Sequence, residues 1–143
     1  YGDKTHHLHI VSVWIPLVDV DEHNGCMQFI PGSQTWGPIA TTKQDDHLGP
    51  AIDVEARGRV ETLRMRAGDA VLFHNLALHR SLMNNSQDIR WSIDLRYAPT
   101  GMPTAWLDKV GMLGFVARST RNPAQVEAWE SWRDRRNSFK RAA

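Results

Sequence analysis

The chain has few of the features that mark several common classes of protein. Its only cysteine, Cys26, cannot form a disulfide within the chain, which fits a reducing compartment, and we expect it to be buried structure rather than a nucleophile. No apolar run approaches the roughly 18 residues that a membrane span needs. No signal peptide is recognisable, so the expected location is cytoplasmic. The net charge of +1 gives no reason to expect a nucleic-acid partner.

What the chain does contain is a series of short alternating segments. Four of them predict strands, at residues 8–18, 26–30, 60–66 and 70–74. Asn24-Gly25 is typical of a two-residue hairpin turn, so we expect it to lead the first strand directly back into the second. Residues 67–69 predict a further turn, with Asp69 as a turn former rather than an acid catalyst. The sequence therefore favours a mainly β fold.

The remaining segments predict a loop and a helical end. Residues 35–58 have little periodicity and predict a long loop that carries substrate recognition, with a disordered insertion as the alternative. Residues 98–114 are interrupted by glycine and proline and should be irregular. Asn122-Pro123 then predicts the start of an α-helix, with Asn122 as its cap. Three apolar residues at helical spacing should pack this helix onto the β-core: Val126, Trp129 and Trp132.

The strand predicted at residues 90–97 has one apolar and one polar face. Alternation places Trp91, Ile93, Leu95 and Tyr97 on one side and Arg90, Ser92, Asp94 and Arg96 on the other. A polar face of an isolated strand most simply meets solvent, but in a small barrel or jelly roll it lines a ligand cavity. There Arg90 is suited to bind a carboxylate, because a guanidinium makes two parallel hydrogen bonds to one.

His79 precedes Arg90 with ten residues between them. A lone histidine is more often structural than a ligand. Imidazole nevertheless suits iron, and iron sites built from two histidines and one carboxylate leave positions open for a co-substrate and oxygen. The two residues together predict one metal ligand and one anion-binding group inside a β-barrel.

Several short motifs occur in a fixed order along the chain. They are VWIPL at 13–17, NGCM at 24–27, FIPGS at 29–33, GDAVLFH at 68–74, HRS at 79–81, NS at 85–86, Arg90 and GFVARS at 114–119. In this order they resemble the phytanoyl-CoA dioxygenase family of iron(II)- and 2-oxoglutarate-dependent oxygenases. The resemblance covers most of the chain, and the ordered set is far more specific than any one motif.

The resemblance implies a fold and a set of site residues. The fold is a double-stranded β-helix, a jelly-roll or cupin-like core, with core strands within residues 1–97 and an irregular segment and C-terminal α-helix over 98–143. By resemblance His79 is the distal iron ligand and Arg90 binds the far carboxylate of 2-oxoglutarate. Ser81 matches a position that hydrogen-bonds the same co-substrate and Trp14 an aromatic position beside it, although a turn serine and a core tryptophan are the plain alternatives.

The chain departs from the family in its metal ligands. Family members carry the other two iron ligands in a His-x-Asp motif just upstream of the position of Tyr1, and none of the seven histidines here is followed two residues later by a carboxylate. We therefore expect a single partial domain, the C-terminal part of a longer protein that lacks its N-terminal strands. With one protein ligand it should bind iron poorly and be inactive alone. His7 and His9 are poor substitutes, since they supply no carboxylate.

The expected function of the whole protein is hydroxylation of a small organic or acyl substrate with iron(II), 2-oxoglutarate and O2. Halogenation stays open, because it depends on the carboxylate ligand. One alternative is a metal-free jelly-roll binding module that has lost the iron site, and a second is a cupin-type protein with another metal. No nucleic-acid or membrane partner is expected, and the sequence does not fix the substrate or the oligomeric state.

Overall fold

The fold is mainly antiparallel β-sheet in residues 9–44, 47–99, 116 and 118–142, which the computed structural model describes. The strands there are β1 Val11–Pro16, β2 Met27–Phe29, β3 Thr41–Gln44, β4 His47–Pro50, β5 Glu61–Leu63, β6 Val71–His74, β7 His79–Ser81 and β8 Ser92–Tyr97. Two 3-10 helices span Ser33–Trp36 and Pro123–Gln125, and one α-helix, α1, spans Trp129–Ala142. The chain divides into two compact units, at 1–98 and 99–143.

The strands of the first unit form two three-stranded sheets and one hairpin. Sheet I has the order β6-β1-β8, sheet II has the order β5-β2-β7, and β3 pairs with β4. Every pairing is antiparallel. From β5 to β8, successive strands alternate between sheet II and sheet I, as the strands of a jelly roll do.

Apolar side chains of the two sheets meet in one core. Trp14 of β1 is 5% exposed and belongs to the same buried cluster as Met27 and Phe29 of β2. The Phe29 ring also meets the Phe73 ring of β6 edge to face, with 4.9 Å between ring centroids. The two sheets therefore face each other, and the space between their inner faces is called the hollow below.

The strand β8 keeps the predicted alternation, with its polar face turned toward the hollow. Opposite residues of an antiparallel pair lie on the same face of a sheet. Asp94 is opposite the buried Trp14, whereas Leu95 is opposite Val13. The apolar residues of β8 accordingly lie on the outer face, where Leu95 is 38% and Tyr97 59% exposed in the described part of the chain.

The turn at Asn24-Gly25 is not a hairpin turn, so that prediction is wrong. β1 and β2 belong to different sheets, and β1 takes both of its neighbours from later strands. The loop between them closes on itself, because the Cys26 N–H donates to the Asp21 carbonyl at 2.8 Å and Asn24 Nδ2 donates to the Asp19 carbonyl at 2.7 Å. The dipeptide thus forms a turn, but the strands on either side of it pair with strands from later parts of the chain.

A methyl group at Gly25 has no room, which gives a stability prediction. Its φ is +88°, and a Cβ there would lie 2.9 Å from the Leu82 carbonyl oxygen, whereas Gly68 has the same φ with open space around it. Gly68→Ala should cost roughly 1–2 kcal/mol from backbone strain alone. Gly25→Ala should cost clearly more, because the backbone must also shift. Urea unfolding of the two variants measures the difference, and equal losses would contradict this account.

Residues 35–58 are more regular than the predicted loop. The first 3-10 helix ends within this segment, and the β3–β4 hairpin pairs Thr41 with Pro50 and Gln44 with His47. The hairpin residues are mostly polar and pair with each other, so the segment shows none of the apolar alternation that marks a half-buried strand.

The helix α1 begins later than predicted. Pro123 opens the second 3-10 helix, Val126 is extended with φ −67° and ψ 123°, and the Asn122 side chain makes no capping hydrogen bond. Trp129 and Trp132 stack on each other with 4.8 Å between ring centroids. Packing of this helix onto the β-core stays a prediction. From residue 100 onward, the predicted irregular segment at 98–114 lies outside the described residues.

Candidate functional site

His79 stands at the start of β7 with its ring among aromatic residues of both sheets. Its ring centroid is 5.5 Å from that of Phe29 in sheet II and 4.7 Å from that of Phe73 in sheet I. Nδ1 lies 2.8 Å from the carbonyl oxygen of Ala77. A carbonyl oxygen only accepts, so Nδ1 carries the hydrogen and Nε2 of the neutral ring keeps its lone pair. Nε2 is therefore the nitrogen through which His79 is able to bind a metal.

The backbone that carries His79 is tied to the end of β2. The Leu78 N–H donates to Ser33 Oγ at 2.8 Å, and the Ile30 N–H donates to the Leu78 carbonyl at 3.1 Å. Ser33 is fully buried. These bonds link residues more than 40 positions apart, and in the sequence Ser33 was recognisable only as the last residue of the FIPGS motif.

Replacement of Ser33 tests this tie. Ser33→Ala leaves the Leu78 N–H without its acceptor, so we expect a loss of about 1–3 kcal/mol in the free energy of unfolding. Thr35→Ala is the matched control, because the Thr35 hydroxyl donates to the Gly32 carbonyl in an exposed turn that water also reaches. Denaturant unfolding of both variants supplies the comparison. An equal, small effect of the two substitutions would exclude an anchoring role for Ser33.

The Arg90 guanidinium lies over the indole of Trp14. Its Cζ is 5.3 Å from the ring centroid, a favourable geometry for a cation over an aromatic face. Nη1 is buried and has no hydrogen-bond partner among the described residues. A buried N–H group without an acceptor is costly, and in a charged group it is costlier still. This part of the hollow is therefore suited to an anion.

His79 and Arg90 lie beside different positions along β1 on the inner surface of the sheets. Phe73, which contacts the His79 ring, is paired with Ser12 of β1, and Trp14, which lies under Arg90, is two residues further along β1. Two residues of a strand span about 7 Å. Ser81 lies on the same face of β7 as His79 and is paired with the core residue Met27.

The described residues supply no complete metal site. No group of three or more His, Cys, Asp or Glu side chains among them is placed to hold a metal ion. His7 lies outside the described residues, and His9 belongs to no such group. His79 is thus a single candidate ligand.

Cys26 has the surroundings of a structural residue. It is fully buried, and burial, followed by the charges of Glu22 and Asp21, raises the pKa of its thiol. Because the thiolate is the nucleophilic form of cysteine, this environment suppresses its reactivity.

A cavity of about 250 Å³ adjoins β7 at the end where His79 stands. Besides His79, it is lined chiefly by apolar residues that follow β2, end β4, lie between β4 and β5 or precede β7: Ile30, Pro50, Val54, Val60 and Leu78. Ile30 occurs in the FIPGS motif and Val60 in a predicted strand, but no sequence pattern marks the five residues as parts of one cavity, because they come from separate segments.

Two facing antiparallel sheets, with a histidine and an arginine on their inner surface, define a jelly-roll protein with a candidate site between its sheets. The chain belongs to the Phytanoyl-CoA dioxygenase (PhyH) family, whose model matches residues 1–92. The members of this family are oxygenases that use iron(II), 2-oxoglutarate and O2.

Three similar proteins illustrate the relationship. Phytanoyl-CoA dioxygenase domain-containing protein 1 of Danio rerio is 34% identical over 57% of this chain and 30% of its own length. The peroxisomal phytanoyl-CoA dioxygenase of Bos taurus is 30% identical over 62% of this chain and 28% of its own length. The epimerase SnoN, solved in complex with Fe3+, alpha ketoglutarate and nogalamycin RO, is 27% identical, with a TM-score of 0.53 over 78% of this chain and 45% of SnoN.

The chain is much shorter than these relatives. It spans less than a third of the length of the Danio rerio and Bos taurus relatives. Within the described residues, no helix combines the length and the apolar character needed to cross a bilayer.

Proposed function

We propose that the whole protein is an iron(II)- and 2-oxoglutarate-dependent dioxygenase that hydroxylates a small organic or acyl substrate. The observation that carries this proposal is the buried Nη1 of Arg90, which has no partner among the described residues and belongs to a side chain stacked on Trp14. An arginine in that state, in a chain of this family, is suited to bind a carboxylate of a co-substrate.

Arg90 supplies the counter-charge for the far carboxylate of 2-oxoglutarate in this proposal. Trp14 closes the other side of the guanidinium, and Ser81 is assigned a hydrogen bond to the same co-substrate. The step of about 7 Å along β1 between the positions beside His79 and Arg90 is comparable with the length of a short dicarboxylic acid such as 2-oxoglutarate. The position of both side chains on the inner surface of the two sheets supports one molecule that contacts both.

His79 is assigned as one iron ligand, through Nε2. The Ala77 carbonyl orients the ring by accepting the Nδ1 hydrogen, which is the usual arrangement of a histidine that binds a metal. When bound, iron(II) supplies the redox chemistry, in which O2 oxidises 2-oxoglutarate to succinate and CO2 and hydroxylates a substrate C–H bond. The protein orients the co-substrate and excludes water from the hollow.

The other two iron ligands are assigned to residues outside the described part of the chain. Because one histidine alone does not make a stable facial site, we expect the 143-residue chain by itself to bind iron weakly and to turn over little.

A metal-free binding module is the second candidate, and it is favoured by the finding that no three His, Cys, Asp or Glu side chains of the described residues are grouped to hold a metal ion. Two observations separate the candidates. The codons preceding Tyr1 encode a His-x-Asp pair if the protein is the enzyme, and lack one if it is the binding module. The whole protein, supplied with Fe(II), 2-oxoglutarate and O2, should then form succinate in the first case, and should bind 2-oxoglutarate without iron-dependent turnover in the second.

We also propose a cytoplasmic location, supported by a lone, buried cysteine and by the absence of any disulfide partner for it. The relative from Bos taurus is named as a peroxisomal protein, so the alternative location is the peroxisome. Imaging of the whole protein fused to a fluorescent reporter, beside a peroxisomal marker, distinguishes the two compartments.

A further inference from the structure

The outer wall of the cavity beside His79 is a turn at residues 53–58 that is attached to the sheet behind it. Glu55 accepts a hydrogen bond from Arg80 Nη2 at 2.9 Å, and Arg80 Nε in turn donates to Gln28 Oε1 at 2.8 Å. Arg57 lies over the Trp36 ring, with 4.6 Å from its Cζ to the ring centroid. The wall is thus joined both to β7 and to the first 3-10 helix.

Close packing at Gly58 fixes the far end of the same turn. A Cβ at Gly58 would lie 2.4 Å from Ile30 Cγ2 and 2.9 Å from Trp36 Cη2. Within the turn, Asp53 Oδ1 accepts hydrogen bonds from the Glu55 and Ala56 N–H groups at 3.1 Å each. These contacts give the turn a defined shape and make it a formed wall rather than an open loop.

The lining of the cavity selects for an uncharged group. Ile30, Val54, Val60 and Leu78 present hydrocarbon to it. The cation at its border, Arg80, is already paired with Glu55, so their charges offset each other. A ligand group in this cavity gains mainly from removal of apolar surface from water.

The size of the cavity limits that group. A cavity of about 150 Å³ lined by aliphatic and aromatic side chains is large enough for benzene, and complete drug-sized ligands occupy about 300–1,000 Å³. At about 250 Å³ the cavity holds more than one small ring and less than a whole large ligand.

We propose that this cavity binds an uncharged apolar group of the substrate, one or two rings or a short branched chain in size, immediately beside His79. The link of the cavity to catalysis rests on the proposed function, since it depends on His79 as an iron ligand. The existence of the binding site does not depend on it. The turn at 53–58 then determines which substrates fit, through the side chain of Val54.

The binding site is tested first without metal, with indole as the probe. In the iron-free whole protein, methyl NMR signals of Val54, Val60 and Leu78 should shift saturably with indole, while those of Leu72 and Ile93 on the outer face of sheet I should not. Val54→Trp should weaken indole binding at least tenfold by filling the cavity. Ile52→Trp adds the same side chain in the same segment at a residue that is 39% exposed and does not line the cavity, and it should leave the affinity unchanged.

The link to the metal is tested separately with Mn(II), whose unpaired electrons accelerate proton relaxation in nearby molecules. Bound Mn(II) should broaden the signals of bound indole, and His79→Ala should remove that broadening while indole still binds.

The outcomes of the two tests are separable. If Val54→Trp leaves the affinity for indole unchanged, the cavity is not a binding site. Indole that binds without Mn(II) broadening, in a protein shown to hold Mn(II), would place it away from the metal and overturn its role in substrate binding. Failure of the protein to hold Mn(II) at all would instead count against the proposed function, and the metal-free titration would still decide the cavity.

Discussion

His79→Ala should abolish iron-dependent formation of succinate in the whole protein. The substitution removes the imidazole whose Nε2 is left with a lone pair by the Nδ1 contact to Ala77. Loss of a residue that only supports a metal ligand typically costs 10- to 100-fold in metal affinity or activity, so loss of a ligand itself should exceed that range. Titration with Fe(II) under anaerobic conditions and a succinate assay measure the two effects separately.

The controls for His79→Ala address folding and specificity. His23→Ala removes an exposed imidazole in the loop between β1 and β2 and should leave iron affinity unchanged. Because the His79 ring also contacts Phe29 and Phe73, near-ultraviolet circular dichroism must show that the aromatic core is retained. His79→Asn fills part of the same space and serves as a second variant. Turnover retained by a folded His79 variant would remove this residue from the metal site.

Arg90→Ala should weaken the binding of 2-oxoglutarate by about 2–5 kcal/mol, which is roughly 30-fold to 4,000-fold in Kd. The carboxylate would lose its counter-charge in a partly dry pocket. Arg90→Lys should fall between the wild type and the alanine variant, because a lysine keeps the charge but not the two-pronged geometry. Isothermal titration with 2-oxoglutarate and a redox-inert divalent metal measures all three proteins.

A structural role for Arg90 predicts a different result from a ligand-binding role. Its buried Nη1 has no partner among the described residues, so in the absence of 2-oxoglutarate the substitution should cost only the contact with Trp14, about 0.5–2 kcal/mol. Arg64→Ala is the control, since Arg64 forms an exposed ion pair with Glu22 at 2.8 Å and should leave the affinity for 2-oxoglutarate unchanged. A large loss of ligand-free stability together with unchanged 2-oxoglutarate affinity would refute the assignment of Arg90.

The parts of the fold that were predictable from sequence are those governed by short-range patterns. Alternation over residues 90–97 gave the two faces of β8 correctly, and the turn at residues 67–69 was placed correctly, with Asp69 Oδ2 accepting the Arg66 N–H at 2.7 Å. Each of these features depends on neighbours within a few residues. The residues themselves therefore carry the necessary information.

The errors arose where distant strands or competing local conformations decide the outcome. Asn24-Gly25 favours a hairpin turn, but β6 and β8 occupy both edges of β1 and leave no place beside it for β2. Asn122-Pro123 favours a helix start, but the helix that begins there is a short 3-10 helix, which ends before the extended residue Val126. Neither outcome is encoded in the dipeptide.

In the candidate site, too, some residues were predictable from sequence and others were not. His79, Arg90, Ser81 and Trp14 were named from motifs, and the structure sets His79 against Phe29 and Phe73 and Arg90 over Trp14. The supporting contacts were out of reach of sequence reasoning. The bond from the Leu78 N–H to Ser33 spans 45 residues, and the ion pair of Arg80 with Glu55 spans 25. Such contacts follow from the packing of the sheets and leave no local periodicity to detect.

The contact between His79 and Ala77 affects how readily this histidine takes up a metal. Imidazole in water exchanges its proton between two nitrogens, and a ligand that must first settle on one of them loses part of its affinity in doing so. Here a peptide oxygen two residues away makes that choice during folding. The ring is thus preorganised for an incoming cation, so that uptake depends on access to the site rather than on rearrangement of the imidazole.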